Sequence, residues 1–288
     1  MTEVAVFGTA AADVIVQVPR LPGPGDHLSA TSLGWRLGGG SANLACALAA
    51  AGHRVEFVGP FGNDPMANLL LAEIERYGVG TGRSFRAEAP TPRALILLDQ
   101  SGERTILGLD QEFTTDVYPL LDAPEVGTVD GVYVETYVRF PTAIADRAPA
   151  ALLVLTPPVA SAAHWPADIV VGSERQYPSG WSEAPFEAAR AIVGPRLRWV
   201  VVTRGPQGAD AYGPHHSVHV DARPARQVDA TGAGDAFAAG LMSMLLAGRD
   251  IGDAMHAAAE AGAAAVEVFQ SVPASAIEAL GVTWPGSG

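Results

Sequence analysis

A chain of 288 residues, 48% of them apolar, can enclose one large α/β core, and no apolar run reaches the roughly 18 residues of a membrane span. The formal charge of −13 comes without any basic cluster, which argues against nucleic-acid partners, and all 18 basic residues are arginines, so the lysine that a P-loop requires is missing. One cysteine excludes an internal disulfide and, with a start lacking a basic signal-peptide region, points to a reducing, cytoplasmic setting.

Val4 to Phe7 reads as a buried strand ending at Gly8, with Asp13 shortly after it. The next apolar stretch, Val14 to Val18, runs into the turn-rich segment Pro19 to Asp26, and Leu28 to Leu37 has the pattern of a further strand pair or ribbon. Gly38-Gly39-Gly40-Ser41-Ala42-Asn43 leads into an apolar run, Leu44 to Ala51, that stops at Gly52; this predicts a helix over 41–51, with Cys46 as a small core residue. Further helices are predicted over 65–77, 182–192, 234–247 and 250–266. Strands are predicted over 54–58, 93–98, 104–107, 130–134, 152–155, 168–171, 198–203, 208–212 and 217–220. Such alternation argues for an α/β fold, a mainly parallel sheet with helices on both faces and ligands at the C-terminal strand edges. Neither a repeat nor a linker interrupts the pattern, so 1–288 is expected to be a single domain with a frayed tail, Trp284 to Gly288.

Two glycine-rich segments carry chemistry. Asp229-Ala230-Thr231-Gly232-Ala233-Gly234-Asp235 runs into an apolar helix, so its glycines can turn backbone N–H groups toward an anion at a helix N-terminus. A carboxylate beside such a cradle, Asp235, is placed to accept a hydroxyl proton while the amides hold a transferring phosphoryl group. A glycine-rich turn with an acidic helix start is the plainer alternative. In the first segment, the glycines allow close approach of a ligand and Asn43 offers both donor and acceptor one turn into the helix. Val6-Phe7-Gly8-Thr9-Ala10-Ala11-Ala12 lacks the spacing of a dinucleotide-binding turn.

In this order, about 190 residues apart, the two segments resemble the signature motifs of the PfkB (ribokinase-like) family of sugar and nucleoside kinases. Asp13, Gly62-Asn63-Asp64 and Thr203-Arg204-Gly205-Pro206-Gln207-Gly208 extend the resemblance over nearly the whole chain. It implies a ribokinase-like three-layer α/β/α fold with a small β lid, at approximately 14–37 and also 93–107, over the sugar site and used for homodimerisation. It implies ATP with Mg²⁺, and a small-molecule sugar or nucleoside as acceptor. Asp235 would be the general base, with Gly232, Ala233 and Gly234 as the anion hole. Asp13, Gly39, Gly40 and Asn43 would contact the sugar. Ser173, Thr203, Arg204, Gly205, Gly208 and His256, with Gly232 and Gly234, would lie on the nucleotide side. Asp229 and Thr231 match positions that help bind a monovalent cation, although Thr231 can equally shape the turn.

Other residues are left with two readings. Arg93, Arg104 and Arg139 are candidate anchors for a charged substituent, or simply exposed. Glu135, after a strand, would meet substrate or metal-bound water, and Asn63 and Asp64 either cap a helix or serve the site. Where the family carries Asn-x-x-Glu for the Mg²⁺ waters, this chain has Ser173-Glu174-Arg175-Gln176; Gln176 lacks the charge, and Glu174 would supply a carboxylate from a shifted position. Val266 to Gln270 runs directly to Ser271-Val272-Pro273, shorter than the loop that closes the cation site in relatives. A sugar kinase is the leading expectation. A nucleoside kinase would use Trp35, Phe113, Tyr133 and Tyr137 as base walls, and a catalytically weakened binding protein is the third reading.

Overall fold

The computed structural model describes residues 1–100, 104–109, 128–135, 145–157, 166–178, 181 and 183–268. In chain order the elements are β1 (Glu3–Phe7), β2 (Ala11–Gln17), β3 (Thr31–Gly38), α1 (Gly40–Ala50), β4 (Arg54–Val58), β5 (Pro60–Gly62), α2 (Pro65–Arg76), β6 (Phe85–Ala87), β7 (Arg93–Leu98) and β8 (Arg104–Leu109). They continue as β9 (Gly131–Val134), β10 (Leu152–Leu155), β11 (Ile169–Ser173), α3 (Pro185–Val193), β12 (Trp199–Thr203), β13 (Ala209–Tyr212), β14 (Ser217–Val220), α4 (Ala233–Leu246) and α5 (Ile251–Val266).

An eight-stranded sheet runs in the order β14-β13-β12-β11-β10-β9-β1-β4, its pairings parallel except for β12–β13 and β13–β14. Its strands are apolar on both sides, so alternate residues feed two cores. Val4, Val6, Tyr133, Val154 and Val201 pack with α1, α2, α4 and α5, whereas Ala5, Phe7, Val132, Leu153 and Val200 pack with α3 on the opposite face. The result is a three-layer α/β/α body. Tyr133 is therefore a core residue, 4% exposed, and not a wall for a base.

A four-stranded sheet, β3-β2-β7-β8, lies apart from the central one. The segment expected to be a strand pair over 28–37 is a single strand, β3, paired with β2. Asp13 lies within β2, in register with Arg36 of β3. Two elements escaped prediction, β5 and β6, which pair over three residues only.

Asp64 settles one open reading. Its side chain caps α2 by accepting the Ala67 N–H at 3.0 Å, and it also accepts from the N–H and hydroxyl of Thr91 at 2.8 and 2.7 Å. No helix among the described residues is long and apolar enough to cross a membrane.

Candidate active site

The order of the central sheet reverses between β1 and β9: the chain passes from β1 outward to β4, then returns to fill the other side. A crevice opens at the carboxyl ends of strands at such a reversal. Gly8 and Thr9 follow β1 there, and Glu135 follows β9. Glu135 Oε2 accepts from the Thr9 N–H at 3.0 Å and from the Thr9 and Ser41 hydroxyls at 2.9 Å each. Burial raises the Glu135 pKa, those hydrogen bonds oppose the rise, and the charge of Asp235 adds to it. Gly8 is required, since a Cβ would stand 1.9 Å from Ser41 Oγ.

The turn between β3 and α1 crosses the same crevice. Gly39 adopts φ +90°, and a Cβ there would stand 2.5 Å from the Thr9 carbonyl oxygen, so the turn passes β1 at backbone contact. This close passage sets Asn43, buried in the first turn of α1, against Asp235 from the first turn of α4. Asn43 Nδ2 donates to Asp235 Oδ2 at 3.0 Å, joining residues 192 apart in sequence. Asn43 Oδ1 is buried and carries no hydrogen bond among the described residues. Gly40 lies against the other carboxylate oxygen, where a Cβ would approach Oδ1 to 2.9 Å.

Asp235 is half-buried, and desolvation raises its pKa against the lowering effects of Asn43 and Arg104. Ahead of it, Gly232 takes the left-handed conformation, φ +82°, as the cap of α4, and Gly234 is exposed with open space on its Cβ side. The leading amides of a helix have no partners within it, so the Gly232–Asp235 turn presents N–H groups at the positive end of α4. The helix is seated by a tight contact with α5, where a Cβ on Gly262 would meet the Ala233 carbonyl at 3.3 Å.

Asp13 enters from the small sheet. It faces Arg36 across the β2–β3 pair, with Arg36 Nε 3.9 Å from its Oδ2, while Nη1 of the same guanidinium lies 2.7 Å from Asp229 Oδ2. Burial pushes the Asp13 pKa up to about 6; Arg36 lowers it, and Asp235 and Asp229 raise it further. Burial likewise works against ionisation of Asp229, but Thr231 and Arg36 outweigh it and the pKa is lowered. Three carboxyls, Asp13, Glu135 and Asp235, thus share one crevice with all their pKa values raised.

Strand parity separates the candidate arginines. Ala94 pairs with Asp13, and Leu98 and its partner Arg104 lie on the face that Ala94 shares. Arg104 accordingly adds positive potential at Asp235. Arg93 belongs to the alternate positions, is exposed, and is not brought to the acid cluster. Arg139, Phe113 and Tyr137 lie outside the described residues, as does the segment from Phe269 to Gly288.

The turns after β11 and β12 adjoin one another. Arg204 is held by Asp210, by Glu174 at 3.2 Å and by the Tyr212 hydroxyl at 3.0 Å, so its guanidinium is turned toward the antiparallel edge. Gly208 adopts φ +85°, where a Cβ would meet the Val220 carbonyl at 2.1 Å; Thr203 is half-buried and Gly205 exposed. Ser173 and Gln176 form a capping box on the short helix that follows β11, with Gln176 Oε1 accepting the Ser173 N–H at 2.7 Å. Glu174 is 63% exposed and paired with Arg204. Gln176 Oε1 and Glu174 Oε1 are thus both engaged within the chain. His256 is exposed on α5, outside the packed helix face.

Ser41, Thr9 and Arg36 were not singled out from sequence. Ser41 was visible as the one hydroxyl in the glycine turn. Arg36 was visible only as a charge in a strand, and its partner Asp229 lies 193 positions along the chain.

The family model described as "pfkB family carbohydrate kinase" matches residues 1–157 and 167–276. An ATP-dependent ribose-1-phosphate kinase of Halopiger xanaduensis is 30% identical over 282 residues, covering 91% of each chain. The ribokinase of Bacillus subtilis is 25% identical over 286 residues, covering 93% of this chain and 94% of its own. The solved structure of Arabidopsis thaliana ribokinase with ribose and ATP superposes with a TM-score of 0.76 at 22% identity, covering 98% and 99% of the two chains, which shows a shared fold.

Proposed function

The chain belongs to the pfkB family of carbohydrate kinases, and we propose that it transfers the γ-phosphoryl group of ATP to a primary hydroxyl of a sugar or sugar derivative. The observation that carries this reading is Asp235, a carboxylate of raised pKa held by Asn43 beside the open N-terminus of α4. In phosphoryl transfer the protein mainly positions reactants and offsets charge. Asp235 accepts the hydroxyl proton, and its raised pKa makes it a better base than an exposed carboxylate. The Gly232–Asp235 amides hold the transferring group as charge builds on its oxygens.

Asp13 and the free Oδ1 of Asn43 supply acceptors for further hydroxyls of the sugar, and Gly39 and Gly40 let it approach the backbone. The ATP side is formed by the turns after β11 and β12. Mg²⁺ bound with the nucleotide would neutralise part of the phosphate charge on this side; Glu174 and Gln176 are assigned no part in that. Arg104 would favour an anionic substituent on the acceptor, and the 30% identical relative is named for a sugar phosphate. Burial of Tyr133 and exposure of Trp35 weigh against a nucleoside-base pocket built from these aromatics.

The test is ADP release from MgATP across pentoses, hexoses, their 1-phosphates, acids and amines, and nucleosides. Turnover above the ATP-only background with one sugar class supports the reading. Silence across the panel, with ligand-induced thermal stabilisation intact, indicates instead a binding protein with an impaired nucleotide side.

The small sheet is also proposed to join two copies of the chain as a lid. Leu33, Trp35, Ile106, Leu107 and Leu109 are each 39–50% exposed, and all belong to β3 and β8, the sheet's two edge strands. Trp35, Val14, Leu95 and Leu107 form one row across the register. Apolar residues on open strand edges are a pairing surface unless covered. Light scattering is expected to give a dimer mass for the wild type and a monomer for Trp35→Asp/Leu107→Asp. A wild-type monomer at micromolar concentration contradicts the pairing.

A further inference from the structure

Asp229 has both carboxylate oxygens occupied by the chain itself. Oδ2 lies 2.7 Å from Arg36 Nη1, and Oδ1 accepts the Thr231 N–H at 2.8 Å. The two side chains of the ion pair are 11% and 3% exposed, so the contact is nearly closed to solvent. A monovalent cation at this carboxylate would rest beside a fixed guanidinium charge, which repulsion in a poorly hydrated site opposes. The Asp229 carboxylate therefore does not fit a bound alkali ion.

The same contact ties two parts of the fold together. Arg36 belongs to β3 of the small sheet. Asp229 begins the turn that ends at Gly232, and that turn is further fastened by the Val228 and Asp229 N–H groups, both bonded to the Val266 carbonyl at 2.7 and 3.1 Å. The guanidinium thus neutralises the carboxylate at the base of the anion-facing turn while also facing Asp13.

We propose that Arg36 is a built-in cation: a positioning residue that holds the Asp229–Gly232 turn, so that phosphoryl transfer by this protein needs no potassium or sodium. Removing the guanidinium converts the protein into one that responds to a monovalent cation. The inference rests on the kinase reading for its rate prediction, but its thermal readout requires no turnover.

Wild type, Arg36→Gln and Arg36→Lys are compared in tetramethylammonium buffer at constant ionic strength, with and without potassium or guanidinium ions. Wild-type kcat and Tm are expected to stay unchanged on adding potassium. Arg36→Gln loses kcat by roughly 10- to 100-fold, the usual worth of one hydrogen bond to a charged group, and recovers with either ion. Its Tm rises with the same ions, and Arg36→Lys keeps part of its rate without them. A wild type activated several-fold by potassium overturns the proposal. So does a folded Arg36→Gln whose rate and Tm respond to neither ion. If no acceptor turns over at all, ion-dependent stabilisation confined to Arg36→Gln still upholds the built-in cation while the kinase reading falls.

Discussion

Asp235→Asn is expected to lower kcat by roughly 10²- to 10⁴-fold, the range contributed by a positioned general base, while KM moves only a few-fold. The amide keeps the shape of the carboxylate, and its oxygen can still accept from Asn43 Nδ2, so the crevice is not rebuilt. What is lost is the ability to take the hydroxyl proton. Stability should not fall, because a group whose pKa is raised in the folded protein is one whose ionised form is disfavoured there. In the wild type the rate should decline on acidification sooner than an exposed carboxylate would dictate, since Asp235 must be ionised to act. Steady-state kinetics with the best acceptor checks both statements. A variant with full kcat would remove Asp235 from the mechanism.

Asp13→Asn is expected to weaken acceptor binding and to stabilise the protein at neutral pH. A carboxylate that accepts from sugar hydroxyls loses about 1.5–3 kcal/mol of interaction when replaced by a neutral amide, so KM rises by roughly tenfold or more. The stability effect has the opposite sign. Asp13 has a folded pKa of about 6 against an ordinary value of 3.8, so between these values the folded state binds more protons than the unfolded chain. Stability therefore falls as pH rises through that window, and the loss is complete above it. The difference corresponds to at most about 3 kcal/mol, an upper limit because neighbouring charges relax when one is removed. Urea denaturation at pH 7.5 should show Asp13→Asn as the more stable protein, and the gap should close as pH approaches 4. A variant less stable than wild type at both pH values would mean that Asp13 is held mainly by Arg36 and not strained by burial.

Much of the fold was legible because apolar periodicity marks long elements well. The helices after Gly40, Pro65 and Ile251 and the strands of the central sheet fall within a few residues of expectation. Periodicity needs length, which is why Pro60–Gly62 and Phe85–Ala87 were invisible: three residues carry no period. Asp13 stands just ahead of the apolar stretch Val14 to Val18, so periodicity does not mark it as strand, whereas here the strand starts at Ala11 and carries that charge toward a crevice.

The candidate site was legible in residue type more than in arrangement. Glycine runs announced close backbone passages, and the positive φ at Gly39 and Gly232 gives them physical content. Pairings between distant segments, Asn43 with Asp235 and Arg36 with Asp229, leave no local trace. Arg93 and Arg104 looked alike in sequence, and only the β7–β8 register assigns them to opposite faces. Ser173 reads as a nucleotide-side residue and Gln176 as a metal-side one, but a serine followed three positions later by glutamine is also a capping box, and that is what they form.

The central claim is transfer of a phosphoryl group to a primary alcohol in the Asn43–Asp235 crevice. Proton-coupled phosphorus NMR of the product made from MgATP and the best acceptor tests it most directly. A new phosphomonoester split into a triplet by a CH₂ group is expected, formed at least about a hundredfold more slowly by Asp235→Asn. Inorganic phosphate as the only new signal, or a doublet from phosphate on a secondary carbon, would contradict it.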